Sequence, residues 1–298
     1  MNRAIFIFLC LSCAYSFGGV WWTYRISIKA RAQEGPPLGD LTGDFRKHNK
    51  FRSRFLQNDR DVLVYLPPDY ATNKTRRYPV LYLNDGQNLF DGKTAFGQEW
   101  HVDETAQRLI ESGAIEPLII VGVYNTGART DEYTPSNDPK YKVGGLADRY
   151  GRMLTEELKP FIDANYRTHA DAARTGLGGS SLGGLVSLYL ALRYPNTFGR
   201  IAVLSPSVWW SDKHILKAVK ALPQKVPCRV WLDMGTREGG DEAGEHLHNA
   251  RLLRDELLDK GWRLGSELYY YEAAGAEHTE SAWADRIDLV LRFLFPHH

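Results

Sequence analysis

From residue 36 onward, short apolar runs alternate with stretches whose apolar residues recur at helical spacing. Residues 61–66 (DVLVYL) and 80–84 (VLYLN) are short, β-rich runs. Residues 118–123 (LIIVGV) are continuously apolar, the pattern of a strand covered on both faces. Residues 201–205, 229–234 and 268–272 read the same way, and 174–178 fits one more strand. Between them the spacing predicts helices over 102–111, 148–165, 182–193 and 243–260. Pro160 lacks an N–H, so the second of these is expected to break there. A last helix is marked by the stripe Trp283, Ile287, Val290, Leu291 and Leu294. Strands alternating with helices predict an α/β fold with a mostly parallel central sheet and helices on both faces. No repeat, low-complexity tract or second composition regime interrupts residues 36–298, which are read as one domain.

The first 35 residues differ. Arg3 precedes an uncharged run from residue 4 to residue 24, the order of a secretory signal peptide. Cleavage is expected after Ser16 or after Gly18. The alternative is an uncleaved anchor, with membrane attachment through residues 4–24 and Trp21, Trp22 and Tyr24 at the interface. Both readings export the protein. Gly35-Pro36-Pro37-Leu38-Gly39 reads as the linker to the body.

Composition excludes more than it selects. The chain has 298 residues, 43% apolar and 24% charged, with a formal net charge of +1. Arg3, Arg25, Lys29 and Arg31 against Glu34 put +3 on the head and leave the body slightly acidic. That balance argues against a nucleic-acid partner. Cys10 and Cys13 lie in the head, so Cys228 is alone in the body and is read as a small buried apolar residue.

The chemical signal is Gly179-Ser180-Ser181-Leu182-Gly183, a G-x-S-x-G pentapeptide between a predicted strand and a predicted helix. A serine at such a turn stands at the carboxyl edge of the sheet, and glycines two residues to either side avoid a collision. A serine needs a base. In the fold built around this elbow the order along the chain is Ser, then Asp or Glu, then His. Of nine histidines, His278 alone lies in the loop between the last strand and the last helix. The acid is expected after the preceding strand, where Glu238 is the first candidate, Asp241 the second and Asp233 the third. Two backbone N–H groups must receive the oxyanion. One is that of Leu182; the other is that of Gln87 or Asn88, in the loop after residues 80–84. Trp209 and Trp210, and with less weight Trp100 and Trp283, are read either as pocket walls or as core anchors. No metal site is predicted, since His246 and His248 are two apart and no HExxH or calcium loop occurs. No phosphate-cradling motif occurs, and no cofactor is expected.

These segments together resemble the esterase D / enterochelin-esterase-like branch of the α/β-hydrolases, which also holds feruloyl and acetyl-xylan esterases and mycolyltransferases. The resemblance runs from about Asn49 to the C-terminus. It is carried by residues 61–68 (DVLVYLPP), 85–88 (DGQN), 178–184, 205–210 (SPSVWW), Gly235-Thr236-x-Glu238 and His278. It implies Ser181 as nucleophile, His278 as base, Glu238 as acid and the amides of Gln87 and Leu182 as oxyanion donors. It places Asn125, Arg129 and Glu132 near the pocket rim. It further implies a serine carboxylesterase acting through an acyl-enzyme on a small-molecule or carbohydrate-linked ester of feruloyl, acetyl-sugar or siderophore type. An acyltransferase using the same intermediate and an inactive binding protein are the alternatives. Residues 36–48 are too few for the extra N-terminal sandwich domain of many siderophore esterases, and no carbohydrate-binding module is seen.

Overall fold

The structure is a computed structural model that describes residues 41–239 and 243–297. The expected head and linker, residues 1–39, and the second acid candidate, Asp241, lie outside the described residues. Among the described residues, no helix is long and apolar enough to cross a membrane.

Eight strands form one sheet in the order β1-β2-β4-β3-β5-β6-β7-β8. They are β1 (Asp44–Arg52), β2 (Asp59–Leu66), β3 (Val80–Asn84), β4 (Ile119–Val123), β5 (Thr175–Ser180), β6 (Arg200–Leu204), β7 (Arg229–Gly235) and β8 (Leu268–Ala273). β1 pairs antiparallel with β2, and β2 antiparallel with β4; every other pairing is parallel. Each run read as a strand from its pattern is one. β1 was not foreseen, because its sequence, DFRKHNKFR, is a half-buried, charged edge with no apolar period.

Strand side chains alternate between two cores, which is why the central runs are apolar at every position. Val62, Val64, Val80, Tyr82, Val121, Ile201, Val203 and Leu232 face one side. Leu63, Tyr65, Leu81, Leu83, Ile120, Leu204 and Trp231 face the other. The second face is closed by α1 (Val102–Glu111) and α8 (Glu280–Leu294). The first is closed by a long helical run, by α5 (Leu182–Arg193), α6 (Trp210–Lys220) and α7 (Ala243–Asp259). α2 (Arg129–Glu132) is a single turn.

The break expected at Pro160 does not occur. The chain stays helical through α3 (Ala147–Arg152), a wider segment (Met153–Leu158) and α4 (Lys159–Asn165). The N–H of Lys159 donates to the carbonyl of Leu154, five residues back. The extra residue in that turn accommodates a proline that has no N–H of its own and would crowd the previous turn.

Candidate active site

β5 ends and α5 begins at Ser181, whose φ is 58° and ψ −122°. A non-glycine residue there costs about 1–3 kcal/mol of strain, so its surroundings must hold it. They do: the Ser181 N–H donates to the carbonyl of Leu204 at 3.0 Å, and its carbonyl accepts from Leu185 at 3.0 Å and Ser207 at 3.2 Å. The flanking glycines sit in tight contact with their neighbours. A Cβ on Gly179 would stand 3.0 Å from the Asn84 Cβ and 3.2 Å from the Gly183 carbonyl carbon. Asn84 ties β3 to α5: its amide nitrogen donates to the Gly183 carbonyl at 3.1 Å, and its amide oxygen accepts from the Tyr150 hydroxyl at 2.6 Å.

Beside this turn lies the loop after β3. Asp85 is left-handed (φ 58°), and the tight turn Gly86–Asn88 follows. Gly86 packs on β4 so closely that a Cβ would fall 2.5 Å from the Gly122 carbonyl carbon. The N–H of Asn88 is spent on the Asp85 carbonyl at 2.9 Å, whereas no acceptor is recorded for the N–H of Gln87 or Leu182 among the described residues. Of the two amides considered in this loop, only that of Gln87 is therefore open to a ligand. Asn125 and Arg129 hold Asp85: the Arg129 guanidinium donates to both carboxylate oxygens at 2.8 Å, and the Asn125 amide donates at 2.6 Å. Both residues line the cavity, but these polar groups are engaged in fixing the loop. Glu132 is not at the rim. It is buried beneath, bonded to Asn58 at 2.6 Å and Arg60 at 2.8 Å.

The cavity over Ser181 measures about 440 Å³, and Gln87, Asn125, Arg129, His278 and Trp283 share its wall with the serine. The exposed ring of Phe96 and the carboxyl of Glu280 complete one side. Burial pushes the Glu280 carboxyl above the ordinary glutamate range. Trp209 and Trp210 are not in the wall. Trp210 is buried with its indole N–H on the Ser136 carbonyl at 3.0 Å, and Trp209 packs against it and Tyr141. The chain turns inward after β6, so it is Ser207 that reaches the site, 3.3 Å from the Ser181 hydroxyl. Trp100 is buried against Trp283, their ring centres 5.7 Å apart.

His278 Nδ1 lies 2.7 Å from Glu238 Oε2. A carboxylate only accepts, so Nδ1 is the donor, and in the neutral ring Nε2 keeps its lone pair. The imidazole meets Trp283 edge-on, with ring centres 4.8 Å apart and planes at 86°. Glu238 is fully buried; its other oxygen accepts from the Gly235 N–H at 2.7 Å and the Ser205 hydroxyl at 2.5 Å. Asp233, the third acid candidate, points away from His278. It accepts from the Trp231 indole at 2.7 Å, the Ser205 N–H at 3.1 Å and Arg286 at 3.1 Å. The Ser181 hydroxyl bonds Ser207, and among the described residues it makes no hydrogen bond to the imidazole.

Sequence reasoning gave no role to Asn84, Asp85, Ser205 or Arg286, although Asp85 opens the DGQN segment and Ser205 the SPSVWW segment. Arg286 left a signal of another kind, a charge on the apolar stripe of α8. It also missed a side-chain group by the start of α1, where Glu99, His101 and Glu104 bring donor atoms within 4.8 Å of one another. Two of these donors already pair, His101 Nδ1 lying 2.9 Å from a Glu99 oxygen.

The sheet order, the elbow at Ser181 and the cavity above it define an α/β-hydrolase fold. Residues 53–294 match the family model described as "Putative esterase". The chain belongs to that family and is a carboxylic-ester hydrolase. Over 254 residues it is 29% identical to an endo-1,4-beta-xylanase/feruloyl esterase of Xylanibacter ruminicola, covering 82% of this chain and 32% of that protein. Over 156 residues it is 32% identical to the ferri-bacillibactin esterase BesA of Bacillus subtilis, covering 47% of this chain and 51% of that one. Among solved structures, an IroE-like serine hydrolase from Shewanella oneidensis superposes with a TM-score of 0.68 at 26% identity, over 85% of this chain and 80% of that one.

Proposed function

We propose that the chain is a serine esterase in which Ser181, His278 and Glu238 act as nucleophile, base and acid. The observation that carries this reading is the 2.7 Å bond from His278 to a fully buried Glu238, with the imidazole and the strained Ser181 opening on one cavity. His278 Nε2 takes the hydroxyl proton as Ser181 Oγ adds to the ester carbonyl. The open amides of Gln87 and Leu182 receive the oxyanion. The tetrahedral intermediate collapses, the ester C–O bond breaks, and His278 returns the proton to the departing alcohol. Water, deprotonated by His278, then releases the acid and regenerates Ser181. The substrate is a feruloyl-, acetyl-sugar- or siderophore-type ester; the names of the relatives support the feruloyl and siderophore types. Export is part of the same proposal and rests on Arg3 and the uncharged run behind it.

The test is hydrolysis of p-nitrophenyl acetate and butyrate by the full chain and by Ser181→Ala. Turnover is expected to fall at least about 10³-fold in the variant, with unchanged circular dichroism. Equal rates in the two proteins would remove Ser181 from this role. Feruloyl, acetyl-xylose and siderophore esters, with alcohol acceptors added, then rank substrates and separate hydrolysis from transfer.

A further inference from the structure

Arg286 sits on the face of α8 that also carries Trp283, Ile287, Val290 and Leu291, and only 3% of it is exposed. Packing alone would be served there by an aliphatic side chain. Burying a guanidinium is unfavourable unless it is paired and its N–H groups are used. Its recorded hydrogen bonds all leave from one nitrogen. Nη2 donates to the Ser205 hydroxyl at 2.9 Å and to Asp233 Oδ1 at 3.1 Å, and it stands 3.7 Å from Glu238 Oε1. Nε and Nη1 have no hydrogen-bond partner among the described residues. A group held at such cost, one bond from a catalytic candidate, is more than packing.

The bonding at Ser205 has a forced direction. Its hydroxyl receives the Trp283 indole N–H at 2.9 Å and the Arg286 N–H at 2.9 Å. Both partners can only donate, so the single hydroxyl proton goes to Glu238 Oε1 at 2.5 Å. Ser205 is set in place by a left-handed backbone, φ 41°, and by its N–H on Asp233. Glu238 thus meets only donors: the Ser205 hydroxyl, the Gly235 N–H and the His278 ring. Asp233 likewise meets only donors, which oppose the upward push of burial on its carboxyl.

We propose that Arg286 is a positioning residue for ester hydrolysis, acting through Ser205 to hold Glu238 as a carboxylate aimed at His278. The inference rests on the reading of Ser181, His278 and Glu238 given above. The charges make the consequence definite. Asp233 and Glu238 are two buried anions against one buried cation, so the cluster reaches neutrality when His278 is protonated. That is the state in which the tetrahedral intermediate forms. Other charges facing His278 are Glu280, with Asp85 and Arg129 on the same cavity wall, and the exposed pair Arg237–Glu277 beside the loop. None of these touches Glu238.

The experiment is the pH dependence of kcat and KM for p-nitrophenyl acetate with the full chain, Arg286→Met, Arg286→Lys and Ser205→Ala, beside Ser181→Ala. Melting temperature and near-UV circular dichroism report folding. Removing the cation leaves the imidazolium beside two anions, so its proton is held more tightly. In Arg286→Met we expect kcat to fall about 10–100-fold with KM nearly constant, and the acidic limb to rise by about one pH unit. Arg286→Lys should return the limb toward its original place. Ser205→Ala should lower kcat with a smaller shift of the same sign, and it decides the matter by the same two readouts if Arg286→Met does not fold. An unmoved limb in folded Arg286→Met, or in folded Ser205→Ala where that variant decides, overturns the proposal whatever happens to kcat. A loss that lysine does not rescue overturns it too. Should Ser181→Ala be inactive while the Arg286 variants behave as wild type, only this inference falls. Should Ser181→Ala stay active, the reading of the site falls first.

Discussion

On the serine side of the cavity the working parts are backbone: the strained turn at Ser181, the open amides of Gln87 and Leu182, and glycines that let β3, β4, β5 and α5 close up. On the acid side they are side chains. Glu238, Ser205, Asp233, Arg286 and Trp283 come from β7, the loops after β6 and β7, and α8, and their polar atoms bond one another out of water. The serine side is thus a matter of shape, sensitive to any added atom and indifferent to pH. The acid side is a matter of charge, sensitive to the loss of one donor and to pH.

The largest effect should come from the acid side. In Glu238→Gln the amide oxygen can keep the Ser205 and Gly235 bonds, which turns the NH₂ toward His278 Nδ1 and forces the wrong tautomer. A loss of about 10³–10⁴-fold in kcat/KM with p-nitrophenyl acetate is expected. A loss under tenfold would show that this carboxylate does not orient the base. Next comes a pure shape change on the other side. Gly86→Ala puts a methyl 2.5 Å from the Gly122 backbone, so the loop must move and carry the Gln87 amide with it. Shifts of that size cost about 10²-fold in turnover, with little change in the acidic limb of the pH profile. A moved limb would blur the division between the two sides.

Arg129→Gln tests whether the buried Asp85 anchors that loop. Losing the paired bonds to Asp85 should cost about 1–3 kcal/mol in urea unfolding, with less effect on turnover than Gly86→Ala. The smallest effect is expected at Cys228, which stands in neither half. Burial pushes its thiol up to about 12, so at pH 8 it remains protonated. Iodoacetamide should leave Cys228 unlabelled in the native chain and label it in guanidinium, as read by peptide mass spectrometry. Labelling in the native state would mean that the start of β7 opens.

The serine side was legible because its chemistry is local. Five consecutive residues around Ser181 specify a turn, and the apolar runs that feed it specify buried strands. His278 was legible from its place in a loop between two recognisable elements. The acid was ranked from sequence, Glu238 before Asp241 and Asp233, but three acids within nine residues offer no local pattern that shows which one meets the base. What separates Glu238 from Asp233 is direction: Asp233 points beneath the sheet edge to Trp231 and Arg286, and Glu238 points to His278. The same limit applied to the tryptophans. Trp209 and Trp210 follow a strand and could be read as pocket walls or as core anchors; neither lines the cavity, while Trp283 on the α8 stripe faces both His278 and Ser205.

The sequence by itself determined the α/β layering, the strands of the central sheet, the elbow at Ser181 and the loop position of His278. Each depends on periodicity or on a few adjacent residues, and such patterns survive in one dimension. The tertiary structure alone decided the edge strand β1, the continuous helix past Pro160, and the Arg286–Ser205–Glu238 relay. Those depend on where buried donors find acceptors across 33 to 81 residues of chain. Satisfying a buried charge is a property of the packed interior, and no local pattern encodes it.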